Sequence, residues 1–190
     1  QTINIAVFVE GSLNHIGQLD IGSDFVTRDL AHGLKTSFAE AKRIKENYGS
    51  AEKANSLDTD IEYLGVDGQT KRRTSIKTIN DIIEPRVEDI IDFIKEEVTN
   101  SGKHHLVPGG IILSGGGAEL KGMDEAIKKR LEGFPVRIGR PRNIKGKIED
   151  VNAPKYATAI GLMEYAVQAE NMHGYANSSF AGSGGFWQRI

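Results

Sequence analysis

The sequence predicts an α/β fold, and three observations lead to this prediction. A short apolar strand, residues 111–113, passes through a glycine turn into a helix. The pair Asp67-Gly68 lies between two runs of strand-forming residues, a pattern typical of a β-hairpin. From Thr78 to Val98, apolar residues recur every three or four positions, which predicts one long amphipathic helix.

Composition narrows the functional classes. The 190-residue chain is 38% hydrophobic with a net charge of -2, as expected of a folded globular protein. General nucleic-acid binders carry a clear basic excess, so nucleic acid is not an expected partner. The absence of cysteine excludes disulfides and thiolate chemistry. The sequence contains no run of about 18 apolar residues, so no membrane-spanning helix is predicted.

The first third of the chain predicts a hairpin followed by two helices. Because the chain begins inside the first predicted strand, we expect that a preceding portion of the protein has been removed. The predicted elements are strands over residues 2–8 and 13–19, a helix capped by Ser23 or Asp24 that ends near Gly33, and a helix from Ser37 to Tyr48 with Gly49 as its carboxyl-terminal cap.

The remainder predicts a small sheet, then the long helix, then a strand, a helix and a further short strand. Pro85 is expected to kink or break the long helix. Ala157 and Gly161 are expected to let the last helix pack closely against its neighbours. The other predicted elements are strands over residues 61–66, 69–75 and 135–138, helices over residues 119–131 and 155–168, a flexible linker over residues 169–185 and an apolar tail over residues 186–190.

The stretch from Gly109 to Met123 is the strongest candidate for a ligand site. Three glycines, residues 115–117, remove side chains where a strand meets a helix, so a phosphorylated ligand could approach the backbone amides. A plain sharp turn explains the same glycines equally well. The adjacent His104 and His105 have no carboxylate or cysteine cluster beside them, so no metal site is predicted.

Several stretches together resemble the FtsA family, the bacterial actin-like proteins that anchor the FtsZ ring to the membrane. The glycine turn alone would also fit other actin, Hsp70 or sugar-kinase folds, but the series lies in family order along nearly the whole chain. The stretches are DIGSDFVTRDLAHGL, AKRIKENYGSA, IIEPRVEDI, KHHLVPGGIILSGGGAELKGM, FPVRIGRPRNIKG, PKYATAIGL and GSGGFWQRI.

The resemblance implies the second lobe of an actin-like fold, in which helices pack on a mixed sheet. Residues 1–35 and 106–168 would form its larger subdomain, and residues 36–105 a small inserted α+β subdomain that faces FtsZ. The linker over residues 169–185 would then lead to the start of an amphipathic membrane anchor. That anchor would use Phe186, Trp187 and Ile190, and because it stops short, we expect this chain to bind membranes poorly.

The resemblance also implies an ATP site, with Mg in the intact protein. Gly115, Gly116 and Gly117 would meet the ribose and α-phosphate, and Lys45 would reach the nucleoside. Thr2 would be among the last positions of a phosphate hairpin that lies mostly upstream. The family usually has Glu where this chain has Lys42, and a lysine cannot accept hydrogen bonds from ribose hydroxyls. We therefore expect weak or no ATP binding by this chain alone.

By the same resemblance, the inserted subdomain would receive the tail peptide of FtsZ. The charges expected to contact it are Arg86, Glu84 and Asp89 on the long helix, with Arg72 and Arg73 on the nearby hairpin. Arg86 is the residue we expect to hold a peptide carboxylate. The alternative is that these charges form the solvated face of an amphipathic helix.

Three functional hypotheses remain open from the sequence. The first is an adaptor at midcell that binds ATP with at most slow hydrolysis, polymerises with itself, and joins FtsZ and other divisome proteins to the cytoplasmic face of the membrane. The second is an ATPase of the same superfold, for which no catalytic acid or base stands out. The third is a filament protein of the MreB or pilus-assembly type. The long-helix motif and the tail favour the adaptor.

Overall fold

A computed structural model of the chain describes residues 2–52, 59–142 and 151–177. Within these ranges the strands pair as three two-stranded sheets, and five α-helices surround them. The predicted α/β class is confirmed, although the described strands do not join into one mixed sheet. No helix in the described ranges is both long and apolar enough to cross a membrane.

The predicted first hairpin is confirmed. Strand β1 (Ile3–Val9) pairs antiparallel with β2 (Ser12–Leu19), and the register shifts between Val7 and Phe8. Glu10 and Gly11 form the turn with positive φ angles of 50° and 79°, which match the twist of the flanking strands. One face of the hairpin packs towards the long helix, where Nε2 of His15 lies 2.8 Å from Oε1 of Glu97.

The two expected helices follow, with one difference in capping. Helix α1 (Ser23–Leu34) begins after Gly22, and no side chain caps it, so the predicted cap at Ser23 or Asp24 is wrong. Lys35 ends α1 in a left-handed conformation. Helix α2 (Phe38–Tyr48) is capped by Ser37, whose hydroxyl accepts a hydrogen bond from the amide of Glu40 at 3.2 Å.

The inserted hairpin has a longer connection than predicted. Strand β3 (Asp60–Leu64) pairs antiparallel with β4 (Lys71–Ser75), so the loop is residues 65–70 and the predicted two-residue turn is wrong. Asp67 explains the difference, because its carboxylate accepts hydrogen bonds from the amides of Gln69 and Thr70 and from the Thr70 hydroxyl. These bonds hold a compact loop in place of a tight turn.

The long helix α3 (Ile76–Asn100) extends beyond its predicted ends and is not broken at Pro85. Pro85 lies on the exposed face of the helix. The opposite face carries the centre of the core. Fully buried or nearly so are Val26, Leu30, Ile44, Ile79, Ile83, Val87, Ile91 and Ile127.

The glycine region differs from the predicted strand, turn and helix in one respect. Strand β5 (Ile111–Leu113) pairs in parallel with β6 (Val136–Ile138), close to the predicted strands. A 3-10 turn, Gly116–Glu119, follows β5, and α4 (Met123–Arg130) begins later than predicted. The helix cannot start at residue 119, because Leu120 is extended and Gly122 is left-handed, with φ of 75°.

The last helix departs most from expectation. After a 3-10 turn, Pro154–Tyr156, helix α5 (Ala157–Asn177) continues past residue 168, so the predicted linker is wrong for residues 169–177. A side chain added at Gly161 would meet nothing within 4 Å, which contradicts the predicted close packing there. The predicted anchor residues Phe186, Trp187 and Ile190 lie outside the described residues.

Candidate functional site

The glycine turn presents open backbone at two of its three positions. Gly115 has a φ of 79° and donates its amide to the carbonyl of Pro154 at 3.0 Å. Side chains added at Gly115 or Gly116 would meet nothing within 4 Å, whereas one at Gly117 would lie 3.6 Å from Cβ of Ser23. The turn therefore packs at one end against the start of α1 and leaves its backbone accessible at the other.

Lys45 reaches the same point from α2. Its side chain is mostly buried, and Nζ donates a hydrogen bond to the carbonyl of Ser23 at 3.0 Å. Burial lowers the pKa of Lys45, and the nearby charge of Asp24 partly opposes that shift. The first turn of α1 thus brings together Lys45 and Gly117, two predicted nucleotide residues distant in sequence.

The segment after α2 fixes this arrangement. The amide of Ala51 donates to the carbonyl of Lys121 at 2.8 Å, and Ser50 forms a parallel bridge with Lys121. The amide of Ser50 also donates to Oδ1 of the buried Asn80 at 2.9 Å. Hydrogen bonds therefore join the segment after α2 to the segment after the glycine turn and to the buried Asn80.

The remaining nucleotide residues do not join this cluster. Lys42 is exposed, and its Nζ lies 3.9 Å from Oε1 of Glu46 one helical turn away. Thr2 is exposed one residue before β1, and no hydrogen bond among the described residues links it to the glycine turn. The part of the predicted site that the structure brings together is Lys45 with the glycines.

Arg86, the residue expected to receive a peptide carboxylate, is engaged within the chain. Its Nε and Nη2 donate to the two carboxylate oxygens of Asp29 on α1, at 2.5 and 3.3 Å. Its Nη1 lies 3.4 Å from Oδ2 of Asp89. The hydrogen bond with Asp29 raises the pKa of Arg86. A peptide carboxylate would have to compete with two carboxylates already in place.

The other predicted partner residues fall into separate places. Arg73 pairs with Glu62 across the inserted hairpin, with Nη2 2.6 Å from Oε1. Arg86 lies about 16 Å along α3 from the end of that hairpin, at 1.5 Å per residue. Glu84 lines a groove of about 340 Å³ between α3 and α4. The structure therefore does not gather the five predicted residues into one cluster.

The two adjacent histidines pack against each other. His104 and His105 lie in a short 3-10 turn with their rings edge to face, 5.3 Å apart between centroids. Among the residues that the structure describes, no three His, Cys, Asp or Glu side chains converge as metal ligands would.

Sequence reasoning missed Asp29 and Ser23. Asp29 fixes Arg86, and the carbonyl of Ser23 anchors Lys45. No sequence pattern indicates either contact. Asp29 looks like any other polar residue on an amphipathic helix, and the contact of Ser23 is made by its backbone carbonyl, which every residue has.

Comparison with known proteins decides the family. The family model described as "Cell division protein FtsA" matches residues 1–161. The chain belongs to the FtsA family. FtsA of Rhizobium meliloti is 33% identical over 189 residues, which cover 97% of this chain and 42% of the relative. FtsA of Escherichia coli K12 is 32% identical over 179 residues, which cover 88% and 42%.

FtsA of Neisseria meningitidis shows the same pattern, with 34% identity over 89% of this chain and 41% of the relative. This chain thus spans about two-fifths of the length of the FtsA proteins that it matches.

Two solved structures share its fold. MreB5 of Spiroplasma citri bound to ADP covers 72% of this chain and 45% of its own, with a TM-score of 0.60 and 19% identity.

MreB5 bound to AMPPNP covers 91% of this chain and 52% of its own, with a TM-score of 0.65 and 16% identity. The actin-like fold expected from the resemblance is confirmed by these two neighbours. Both MreB5 structures hold an adenine nucleotide, and at this identity the likeness to this FtsA-family chain extends to the fold alone.

Proposed function

We propose that this chain is the second lobe of an FtsA-type adaptor. The adaptor binds ATP, assembles into actin-like filaments with at most slow hydrolysis, and tethers FtsZ and the division machinery to the cytoplasmic face of the membrane at midcell. Family membership supports the cell-division role, and it favours the adaptor over a general ATPase or a filament protein of the MreB or pilus-assembly type.

One observation supports nucleotide binding above the others. Lys45 and Gly117 meet at Ser23, beside the open backbone of Gly115 and Gly116. A lysine ammonium has three donors, and the carbonyl of Ser23 takes one of those of Lys45, so two remain for acceptors on a nucleoside. Partial burial strengthens such hydrogen bonds because little water competes for them.

The described residues do not provide a cage for Mg²⁺ at this place. A Mg²⁺ ion usually keeps several waters and binds substrate phosphates with only one or two carboxylates. An ion carried in with ATP would therefore take its ligands from the phosphates and water. Lys45 and the glycine backbone would contact the nucleoside side of the ligand.

Photolabelling with 8-azido-ATP tests the proposal even if binding is weak, because covalent capture accumulates. We expect labelling on α2 or on the glycine turn, and competition by unlabelled ATP. Gly116→Val should reduce labelling at least tenfold, because its side chain would fill the open backbone. Lys45→Met should do the same by removing the donors.

Gly109→Val is the matched control, because Gly109 also faces open space and does not need a positive φ. It should label like the wild type. Equal labelling of the two valine variants, or labelling that ATP does not reduce, would contradict the proposed nucleotide site.

The FtsZ part of the proposal rests on the inserted segment, residues 36–105. A fluorescent FtsZ tail peptide should bind the chain saturably, and less tightly at raised salt because charge pairs contribute. Absence of binding by a demonstrably folded chain would contradict the tether function.

A further inference from the structure

A groove of about 340 Å³ lies between α3 and α4, and we call it the α3–α4 groove. Val87 and Ile91 on α3 and Ala51 after α2 are buried and form its apolar floor. The charged residues that line it are Glu52, Glu84, Glu88, Lys129 and Arg130. An apolar floor with charged side chains around it fits a small ligand that has an alkyl body and charged ends.

The α3–α4 groove already contains an alkylammonium group, which belongs to Lys129. Nζ of Lys129 lies 2.5 Å from Oε1 of Glu52. The Glu52 side chain is only 14% exposed, whereas that of Lys129 is 70% exposed. The carboxylate of Glu52 raises the pKa of Lys129, and the charges of Glu125 and Glu84 add to this effect. A largely buried carboxylate is thus neutralised by an exposed, flexible ammonium group.

Arg130 occupies only part of the carboxylate of Glu88. Its Nε and Nη2 donate to the two oxygens of Asp92 at 2.7 and 2.6 Å, whereas its Nη1 lies 3.4 Å from Oε1 of Glu88. The shorter contacts of Arg130 are therefore made with Asp92. An ionised carboxylate has about four acceptor sites, so Glu88 can accept hydrogen bonds from a ligand and keep its contact with Arg130.

The balance of charge in the groove is negative. Its lining has three carboxylates and two cations, and one of the cations, Arg130, is shared with Asp92. Glu84 and Glu88 lie one helical turn apart, about 6 Å along the axis of α3, and like charges at this spacing repel each other. Among the residues that the structure describes, no three side chains converge as metal ligands would. The lining therefore favours an organic cation over a metal ion.

We propose that the α3–α4 groove binds a short aliphatic diamine or polyamine. One ammonium group binds Glu52, where Lys129 competes with it, and another binds Glu88, while the alkyl chain lies over Val87 and Ile91. Such binding requires neither ATP nor FtsZ, so the inference goes beyond the proposed function. The bound amine would join α3 to α4 and to the segment after α2. The groove is open and the contacts are few, so a weak affinity is expected.

The test is a titration with putrescine and with spermidine at constant ionic strength, followed by the NMR shifts of the backbone amides. We expect saturable shifts that are confined to α3, α4 and the segment after α2. Two matched probes separate charge from shape. Butylamine has the same alkyl chain and one charge, and Mg²⁺ has two charges and no alkyl chain. Each should bind at least about fivefold more weakly than putrescine, because each lacks one of the two kinds of contact.

Substitution of Lys129 distinguishes direct contact from a general effect of charge. Lys129→Ala should tighten putrescine binding several-fold, because it removes the competing ammonium group from Glu52. The matched control is Lys128→Ala, which removes the same charge from an exposed lysine that does not line the groove. It should stay within about twofold of the wild type, because distant exposed charges are screened.

A second pair of variants keeps the inference testable if Lys129→Ala is unstable. Glu88→Gln should weaken putrescine binding at least about fivefold, because hydrogen bonds to a charged group are the stronger ones. Its control is Glu164→Gln, an exposed carboxylate on α5 that does not line the groove, which should bind like the wild type. The melting temperature of each variant without amine shows whether it is folded.

Four results would overturn the inference. If the folded wild type shows no saturable shifts near the groove, no amine binds there. If Mg²⁺ or butylamine binds as tightly as putrescine, the surface does not select an alkyl chain with two charges. If each variant behaves like its control, the amine responds only to net charge. If the groove variants change self-association in sedimentation velocity and not amine binding, the groove is an interface between copies of this chain.

Discussion

The ion pair between Arg86 and Asp29 should hold α1 to α3, and this can be measured as a coupling energy. The two side chains are only 30% and 32% exposed, and two of the guanidinium nitrogens contact the two oxygens of one carboxylate. Hydrogen bonds to charged groups contribute about 1.5–3 kcal/mol. Arg86→Ala should therefore lower the free energy of unfolding by about 2 kcal/mol, or the melting temperature by about 4–8 °C for a chain of this size.

A double-mutant cycle isolates the pair from other effects of each substitution. Urea unfolding of the wild type, Arg86→Ala, Asp29→Ala and the double variant should give a coupling energy of about 1–2 kcal/mol. The matched control is the pair Arg73 and Glu62, whose side chains are 73% and 51% exposed. Its coupling energy should be clearly smaller than that of Arg86 and Asp29, because solvent screens the exposed pair.

A coupling at Arg86 no larger than that at Arg73 would refute this reasoning. The result also bears on peptide binding. If Arg86 is structural, a loss of peptide affinity in Arg86→Ala should appear only under conditions where that variant begins to unfold. A loss of affinity in the fully folded variant would return Arg86 to the binding surface.

Two further predictions concern Lys45 and the glycines. Burial lowers the pKa of Lys45 in the folded state, whereas in the unfolded state the pKa of a lysine is about 10.4. Between these two pKa values the unfolded state binds more protons than the folded state. The free energy of unfolding therefore rises with pH in this range, by at most about 1.4 kcal/mol per pH unit. Lys45→Met should lose this rise when urea unfolding is compared at pH 8 and pH 10, and an unchanged slope would contradict it. Gly110→Ala should destabilise the chain by more than about 2 kcal/mol, because Gly110 has a φ of 76° and its added Cβ would lie 2.0 Å from the carbonyl oxygen of Pro135. Gly116→Ala, which faces open space, should change the free energy of unfolding by less than about 0.5 kcal/mol.

Local patterns in the sequence predicted most of the regular elements. The apolar spacing of α3 and the alternation of β1 are local properties, and the structure has both elements near their predicted ends. The predictions were wrong where a single side chain or one backbone conformation sets the end of an element. Asp67 replaced a two-residue turn by a longer loop, and left-handed Gly122 delayed the start of α4.

The candidate site was also predictable only in part. The glycine motif marked the turn, and the family resemblance pointed to Lys45, but no sequence pattern shows that both meet at Ser23. That meeting depends on the packing of α1 against α2. The assignment of ATP to this place remains a prediction until labelling tests it.

The sequence by itself determined the family and the order of helices and strands, because both follow from residue identities along the chain. Only the tertiary structure shows which charged side chains form ion pairs within the chain. Arg86 lies in a stretch of basic and acidic residues and has Asp89 close by in sequence, yet the carboxylate that it approaches to 2.5 Å is that of Asp29 on a distant helix. An ion pair forms through distance in space, and folding alone brings those atoms together.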